Sequence, residues 1–301
     1  MSAASDAAGF SPELIATLSQ AAELARREGH FELAEELAAR LVEGPSLRLE
    51  LLGSQPQLAL ARPGEKLLKV VWRLKRAFAT LALLALERGR QASRETLVAA
   101  LWADETPEAI RRNFHPVLSD LRRTLQEVVA PLRGHLDEVV EFHLGSYRLE
   151  PRLPLEVDVD AFEARLAAAE AARKVEEEEL AYQHLQAAWS LYRGPLLEGF
   201  DGEWLQARRE ALHRRYLTAL RRLGEMAMAR GEDLVATDAF RTLLFEEPFD
   251  ESLHLELMRL YARGRRRDLV RRQFVRLQEN LKELDVEPLR ATQEEFHRLM
   301  R

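Results

Sequence analysis

Between Thr106 and Val128 the apolar residues fall at Ile110, Phe114, Val117, Leu118, Leu121, Leu125 and Val128. A repeat of 3.6 residues gathers them on one stripe, so the segment is predicted to be a helix with that stripe against a core. The same rotation collects Arg112, His115, Ser119, Arg122 and Arg123 on the far side, with no acid on its centre line. Thr106 is the expected N-cap, Pro107 the first helical residue and Glu108 an acid at the positive end of the dipole. Pro116 leaves two readings open. Either the helix bends there, or it begins there, which would take Arg112 out of the face and leave Ser119, Arg122 and Arg123.

The pattern elsewhere predicts three blocks. Residues 11–28 and 30–43 have helical spacing and are joined at Gly29, with Ser11-Pro12-Glu13 as a start signal and Gly44-Pro45 as a stop, so 1–46 reads as a helical hairpin. From Leu47 the stretches LRLELLG, QLALARPG and KLLKVVW alternate or shorten between Gly and Pro and read as strands. Helices follow at 73–88 and, after Ser93 as N-cap, at 94–102. The apolar run Ala77 to Leu86 is too short for a bilayer and reads as a buried helix. Beyond the Thr106 helix, Val139 to His143 and Ser146 to Leu149 read as strands hinged at Gly145. Strands, three helices and a hairpin over 47–150 make a winged helix-turn-helix.

In the block 151–301, helical patterns recur from Asp158 to the end. Ala229-Arg230-Gly231 returns as Ala262-Arg263-Gly264, and Phe240 is matched by Phe274, 34 residues on. That is the tetratricopeptide spacing, two helices per repeat stacked into a solenoid. The fold class expected is therefore mainly α with a small β component: a helical hairpin, a winged helix-turn-helix and a tetratricopeptide-like α-solenoid.

Charge sharpens this division. The chain of 301 residues has a net charge of -6, yet residues 47–150 hold 16 basic against 13 acidic residues, and Lys66 to Arg123 holds 12 against 6. The flanking blocks are acidic. One basic module on an acidic body fits a protein with a separate DNA-reading part. The absence of cysteine excludes disulfides and cysteine-ligated metal. No phosphate loop, no paired metal-binding histidines and no nucleophile elbow are present, so neither an enzyme nor a cofactor is expected. The first residues lack a basic and apolar leader, and the reading is cytoplasmic, with no membrane partner.

The segment RLKRAFATLALLALERGRQASRETLVAALWADETPEAIRRNFHPVLSDLRRTL resembles the OmpR-type winged-helix domain of SARP-type transcriptional regulators. Leu101-Trp102, Leu121-Arg122-Arg123 and, further on, Gly145, Tyr147 and Arg148 carry the likeness. VDVDAFEARL, LYRGPLLEGFDGEW, EEPFDESLHLELMRLYARGRRRDLVRRQF and LKELDVEP resemble the bacterial transcriptional activator domain that follows it. The resemblance implies a sequence-specific activator on double-stranded DNA, binding direct repeats, with a second protomer and RNA polymerase as partners of the helical half. The alternative is a helical-repeat scaffold whose winged helix binds protein. Arg122 and Arg123 are the leading DNA candidates, with Arg112, His115 and Ser119 along the same face and Arg148 on the wing. Lys75, Arg76 and Arg94 stand at helix starts, where cations oppose the dipole and are either functional or tolerated. Trp72, Trp102, Trp189 and Trp204 read as packing residues, and Arg263 with Arg265 to Arg267 as exposed cations at a helix end.

Overall fold

A computed structural model describes residues 20–21, 24–25, 46–61, 66–133 and 138–301. Apart from the four helical residues Gln20, Ala21, Leu24 and Ala25, the helical hairpin expected over 1–46 lies outside the described residues. Contacts divide the chain into two compact units, Met1–Ala171 with Leu191–Ala211, and Ala172–Ser190 with Leu212–Arg301. The boundary drawn at 150 from charge and spacing does not coincide with this division.

In chain order the first unit contains β1 (Ser46–Glu50), β2 (Gln57–Ala61), β3 (Leu68–Lys69), α1 (Lys75–Leu86), β4 (Gln91–Ser93), α2 (Arg94–Leu101), α3 (Pro107–Arg133), β5 (Val140–His143), β6 (Ser146–Leu149) and β7 (Leu155–Val157). It also takes most of α4 (Asp158–Lys174) and the first residues of a long α6 (Glu203–Arg230). The order of strands, three helices and hairpin is the expected one. Two short strands were not anticipated. β4 precedes α2, and β7 follows the hairpin; at three residues each they are too short to show an alternating pattern.

β1 is an inner strand of a sheet ordered β3-β2-β1-β7. It pairs antiparallel with β2, Leu47 opposite Leu60 and Leu49 opposite Leu58, and parallel with β7. Leu47, Leu49 and Leu58 are fully buried. Where β1 ends, the amides of Leu51 and Leu52 donate to the carboxylate of Asp158 at 2.9 Å, and Asp158 opens α4. Burial pushes this carboxyl up, against the pull of the two amides and of Arg193. The segment after residue 191 is closed by Arg209, which donates to the carbonyls of Leu196, Leu197 and Phe200 at 2.6–2.7 Å. α1 is buried continuously from Ala77 to Ala85, the pattern of a helix that is apolar all round.

The second unit consists of α5 (Glu178–Leu191), the rest of α6, α7 (Asp233–Glu246), α8 (Glu251–Arg263), α9 (Arg267–Lys282) and α10 (Arg290–Leu299). Phe240 and Phe274 are both buried, as their 34-residue spacing implies, and Phe274 stacks on Phe296 at 4.0 Å. Gly224 lets α6 approach Phe240, since a Cβ there would lie 2.7 Å from the ring. The ends of α6 and α8 share one turn. Glu232 N bonds Ala227 O beside Gly231 at φ 78°, and Arg266 N bonds Tyr261 O beside Arg265 at φ 56°. The left-handed residues are thus 34 positions apart, so the glycine of the second Ala-Arg-Gly precedes its structural equivalent by one.

His254, 1% exposed, is held between Pro248 O at 3.1 Å and the Gln273 amide at 2.7 Å, so Nε2 donates to the carbonyl and Nδ1 accepts from the amide. Burial holds its pKa below the ordinary 6.5. As pH falls below that value the unfolded chain takes up a proton that the folded chain refuses, and the loss ends at the lowered folded pKa. Stability is expected to fall by about 1.4 kcal/mol per pH unit within that window. Urea unfolding at pH 7.5 and pH 5.5 checks this: His254→Gln should lose less stability than wild type over the interval, and equal losses would refute it.

Candidate nucleic-acid interface

α3 begins where its capping signals fall, with the Thr106 hydroxyl accepting from Ala109 N at 3.3 Å. It runs unbroken to Arg133, so the reading in which the helix starts at Pro116 is corrected. Pro116 and Arg112 are both exposed, so the carbonyl that Pro116 cannot serve is on a side of the helix open to solvent. One side of α3 is buried through Phe114, Val117, Leu118, Leu121 and Leu125, with Val129 ending the stripe where Val128 was expected. Phe114 is the centre of this contact. Its ring lies 5.4 Å from Trp102 and 5.7 Å from Tyr147 of β6, so helix and hairpin share one aromatic core.

On the opposite side Arg112, His115 and Ser119 are exposed, as expected, and Arg112 meets no acid among the described residues. Arg111 is exposed beside them. It was missed, although the helical rotation places it at the margin of the same face. The second half of the face departs from the expectation. Arg122 donates through Nε to Val140 O at 3.0 Å, because β5 lies alongside the helix and offers that carbonyl. Arg123 is bonded to Asp120 and lies 3.7 Å from Glu127. Asp120, 5% exposed, also accepts from Leu74 N at 3.0 Å, so an acid does stand among these residues and orders the start of α1. The two arginines taken as leading DNA candidates are therefore held by the fold, and the exposed donors lie about one to three turns nearer the N-terminus.

Three further candidates are also engaged. Arg148 faces Glu141 directly across the hairpin and pairs with it at 2.7 Å, which turns it away from the tip. Lys75 donates to Gly199 O at 2.7 Å and sits 4.5 Å over the Phe200 ring. Arg76 pairs with Glu105 at 2.6 Å and covers Trp102 at 5.0 Å. Arg94 is different. It is exposed, with its guanidinium 5.0 Å above Phe114, so its stem packs while its edge remains open to an anion. Together Arg94, Arg111, Arg112, His115 and Ser119 present guanidinium, imidazole and hydroxyl donors on a rigid backing, the chemistry that meets phosphate oxygens and base edges.

Among the described residues no His, Asp or Glu cluster is arranged to hold a metal ion, and no helix is long and apolar enough to cross a membrane.

Residues 157–300 match the bacterial transcriptional activator domain family. The chain is 28% identical to the transcriptional regulatory protein MoaR1 of Mycobacterium tuberculosis, over 74% of this chain and 71% of that one. It is 29% identical to the transcriptional regulatory protein EmbR of M. tuberculosis over 61% of this chain and 46% of the relative. The transcriptional regulator RedD of Streptomyces coelicolor is 29% identical over 62% and 53%. The solved structure of M. tuberculosis EmbR in complex with a low affinity phosphopeptide shares the fold, with TM-score 0.62, 24% identity and coverage of 85% of this chain and 65% of that one. These relatives are named as regulators and not as enzymes, in agreement with the expectation that the chain is no catalyst. The resemblance to SARP-type transcriptional regulators is thereby shown.

Proposed function

We propose, from the bacterial transcriptional activator domain that the chain carries and its similarity to SARP-type regulators, that this protein is a cytoplasmic transcription regulator binding double-stranded DNA. α3 enters a major groove as the recognition helix of a winged helix-turn-helix, and the β5–β6 hairpin is the wing. The DNA-reading module extends past residue 150 to include β7, and the helical unit engages a second protomer or RNA polymerase to activate transcription. The observation that carries the reading is the exposed row Arg112, His115 and Ser119, cationic and without an acid partner for Arg112 among the described residues, backed by the buried Phe114.

The test uses the full chain and duplexes selected by it from the source genome. Arg112→Ala with His115→Ala is expected to weaken binding by about thirtyfold or more, at about 1–3 kcal/mol per lost base contact. A lost phosphate contact should instead flatten the dependence of log K on log salt by about 0.9. Arg122→Ala should chiefly lower thermal stability. If the Arg112/His115 pair binds as wild type does, the face is misassigned. Recovery of no duplex, with retention of a protein partner, would establish the scaffold reading instead.

A further inference from the structure

With Arg148 tied to Glu141, two large apolar residues, Phe142 and Leu144, stand exposed at the end of the hairpin beside the exposed His143. His143 faces Ser146 across a two-residue loop, Leu144-Gly145, and both loop residues have left-handed backbones, at φ 48° and 82°. Such loops favour Asn-Gly, because the first position penalises a side chain without a local hydrogen bond. Leucine is disfavoured there, and Leu144 is also 90% exposed. Phe142, two residues back in β5, is 57% exposed. Neither conformation nor burial accounts for Leu144, and strain at an exposed site marks a place where function decides the residue.

The ridge is firmly mounted. Phe142 packs on Tyr147 at 4.9 Å, and Tyr147 on Phe114 at 5.7 Å, so the tip is connected through rings to the helix that presents Arg112 and His115. A protein surface would offer that ridge apolar contacts. The exposed cations on the same unit, Arg94, Arg111 and Arg112, favour a polyanion whose interior is apolar, and a duplex is one.

We propose that Leu144 is a minor-groove wedge: the wing tip enters the groove beside the site read by α3, and the leucine opens a flexible pyrimidine–purine step and bends the duplex. This rests on the DNA-binding reading. Apolar side chains inserted between base pairs produce such bends, and flexible steps yield most easily. The wing would then contribute shape recognition, with apolar surface where the sequence had pointed to the cation of Arg148.

The experiment compares the full-length wild type, Leu144→Asn and Leu144→Met on one selected duplex. Fluorophores at its ends report the bend, and 2-aminopurine at the contacted step reports unstacking. Wild type and Leu144→Met are expected to bend the duplex and brighten the probe. Leu144→Asn should bind about tenfold more weakly, as loss of a buried leucine implies, with the bend and the probe signal both reduced. Its Tm should equal or exceed that of wild type, because asparagine accepts a left-handed backbone. Wild-type bending by Leu144→Asn would overturn the proposal, as would a lower Tm, which would make Leu144 a residue of the fold. Loss of self-association with unchanged DNA binding would assign the tip to a second copy of the chain and overturn it as well. If wild type itself binds no duplex, the DNA reading fails and the wedge with it; a straight wild-type complex sinks the wedge alone.

Discussion

Phe114→Ala is expected to lower the unfolding free energy by about 3–5 kcal/mol, the range for emptying the site of a buried phenylalanine. The ring is 1% exposed and lies between Trp102 and Tyr147, which come from opposite sequence neighbours of α3. No nearby side chain is free to fill the void, since Tyr147 is itself packed by Phe142 and Trp102 is covered by Arg76. The loss should therefore lie toward the upper end. Urea denaturation measures it, with Phe114→Leu as the companion variant at a clearly smaller cost. The candidate face should suffer too, because Arg94 rests on this ring and Arg112 and His115 stand on the same turns. A loss below about 1 kcal/mol would mean that the cavity collapses easily and that the helix is less rigidly backed than argued.

The second large effect is expected at Asp158. Its carboxylate satisfies the amides of Leu51 and Leu52 as β1 ends, and Arg193 stands 3.5 Å away. Asp158→Ala leaves two poorly solvated N–H groups and one arginine without their acceptor. At about 1–3 kcal/mol for each unmet buried donor, the cost should be about 2–6 kcal/mol. Asp158→Asn retains one acceptor but sets an amide N–H2 near the donors, so it should fall between alanine and wild type. Denaturation midpoints of the three proteins provide the check. An alanine variant as stable as wild type would show that water takes over both amides.

Periodicity made α3 and the hairpin strands legible because each keeps one face in contact with a core over several turns or alternations, while α1 showed as an unbroken apolar run because it is buried on every side. Capping chemistry fixed starts as well: Ser93 accepts from Thr96 N at 3.1 Å, as its position before α2 implied. The three-residue β4 and β7 carried no such signal and exist through their partners. The candidate site was legible as a face but not as a set of free groups. Helical rotation places Arg112 and Arg123 on one side, yet it contains nothing of the strand that approaches Arg122 or of the turn that delivers Leu74 N to Asp120. Arg148 shows the same limit, since its acid lies across the hairpin and becomes its neighbour only through register. Leu144 was invisible for another reason: a leucine in a short apolar stretch is ordinary until the backbone is seen to be left-handed.

The parallel pairing of β1 with β7 determines how the chain can be dissected. An N-terminal fragment ending at residue 150 would hold every candidate DNA contact, yet it would expose the hydrogen-bonding edge of β1 that Leu155–Val157 covers and would lack Asp158. Bare strand edges recruit other chains, so such a fragment invites aggregation that could be mistaken for cooperative DNA binding. The compact unit that holds these residues is discontinuous, running to residue 171 and resuming at 191–211. The span matching the activator family starts at 157, so α4 lies within that match while most of it packs in the first compact unit.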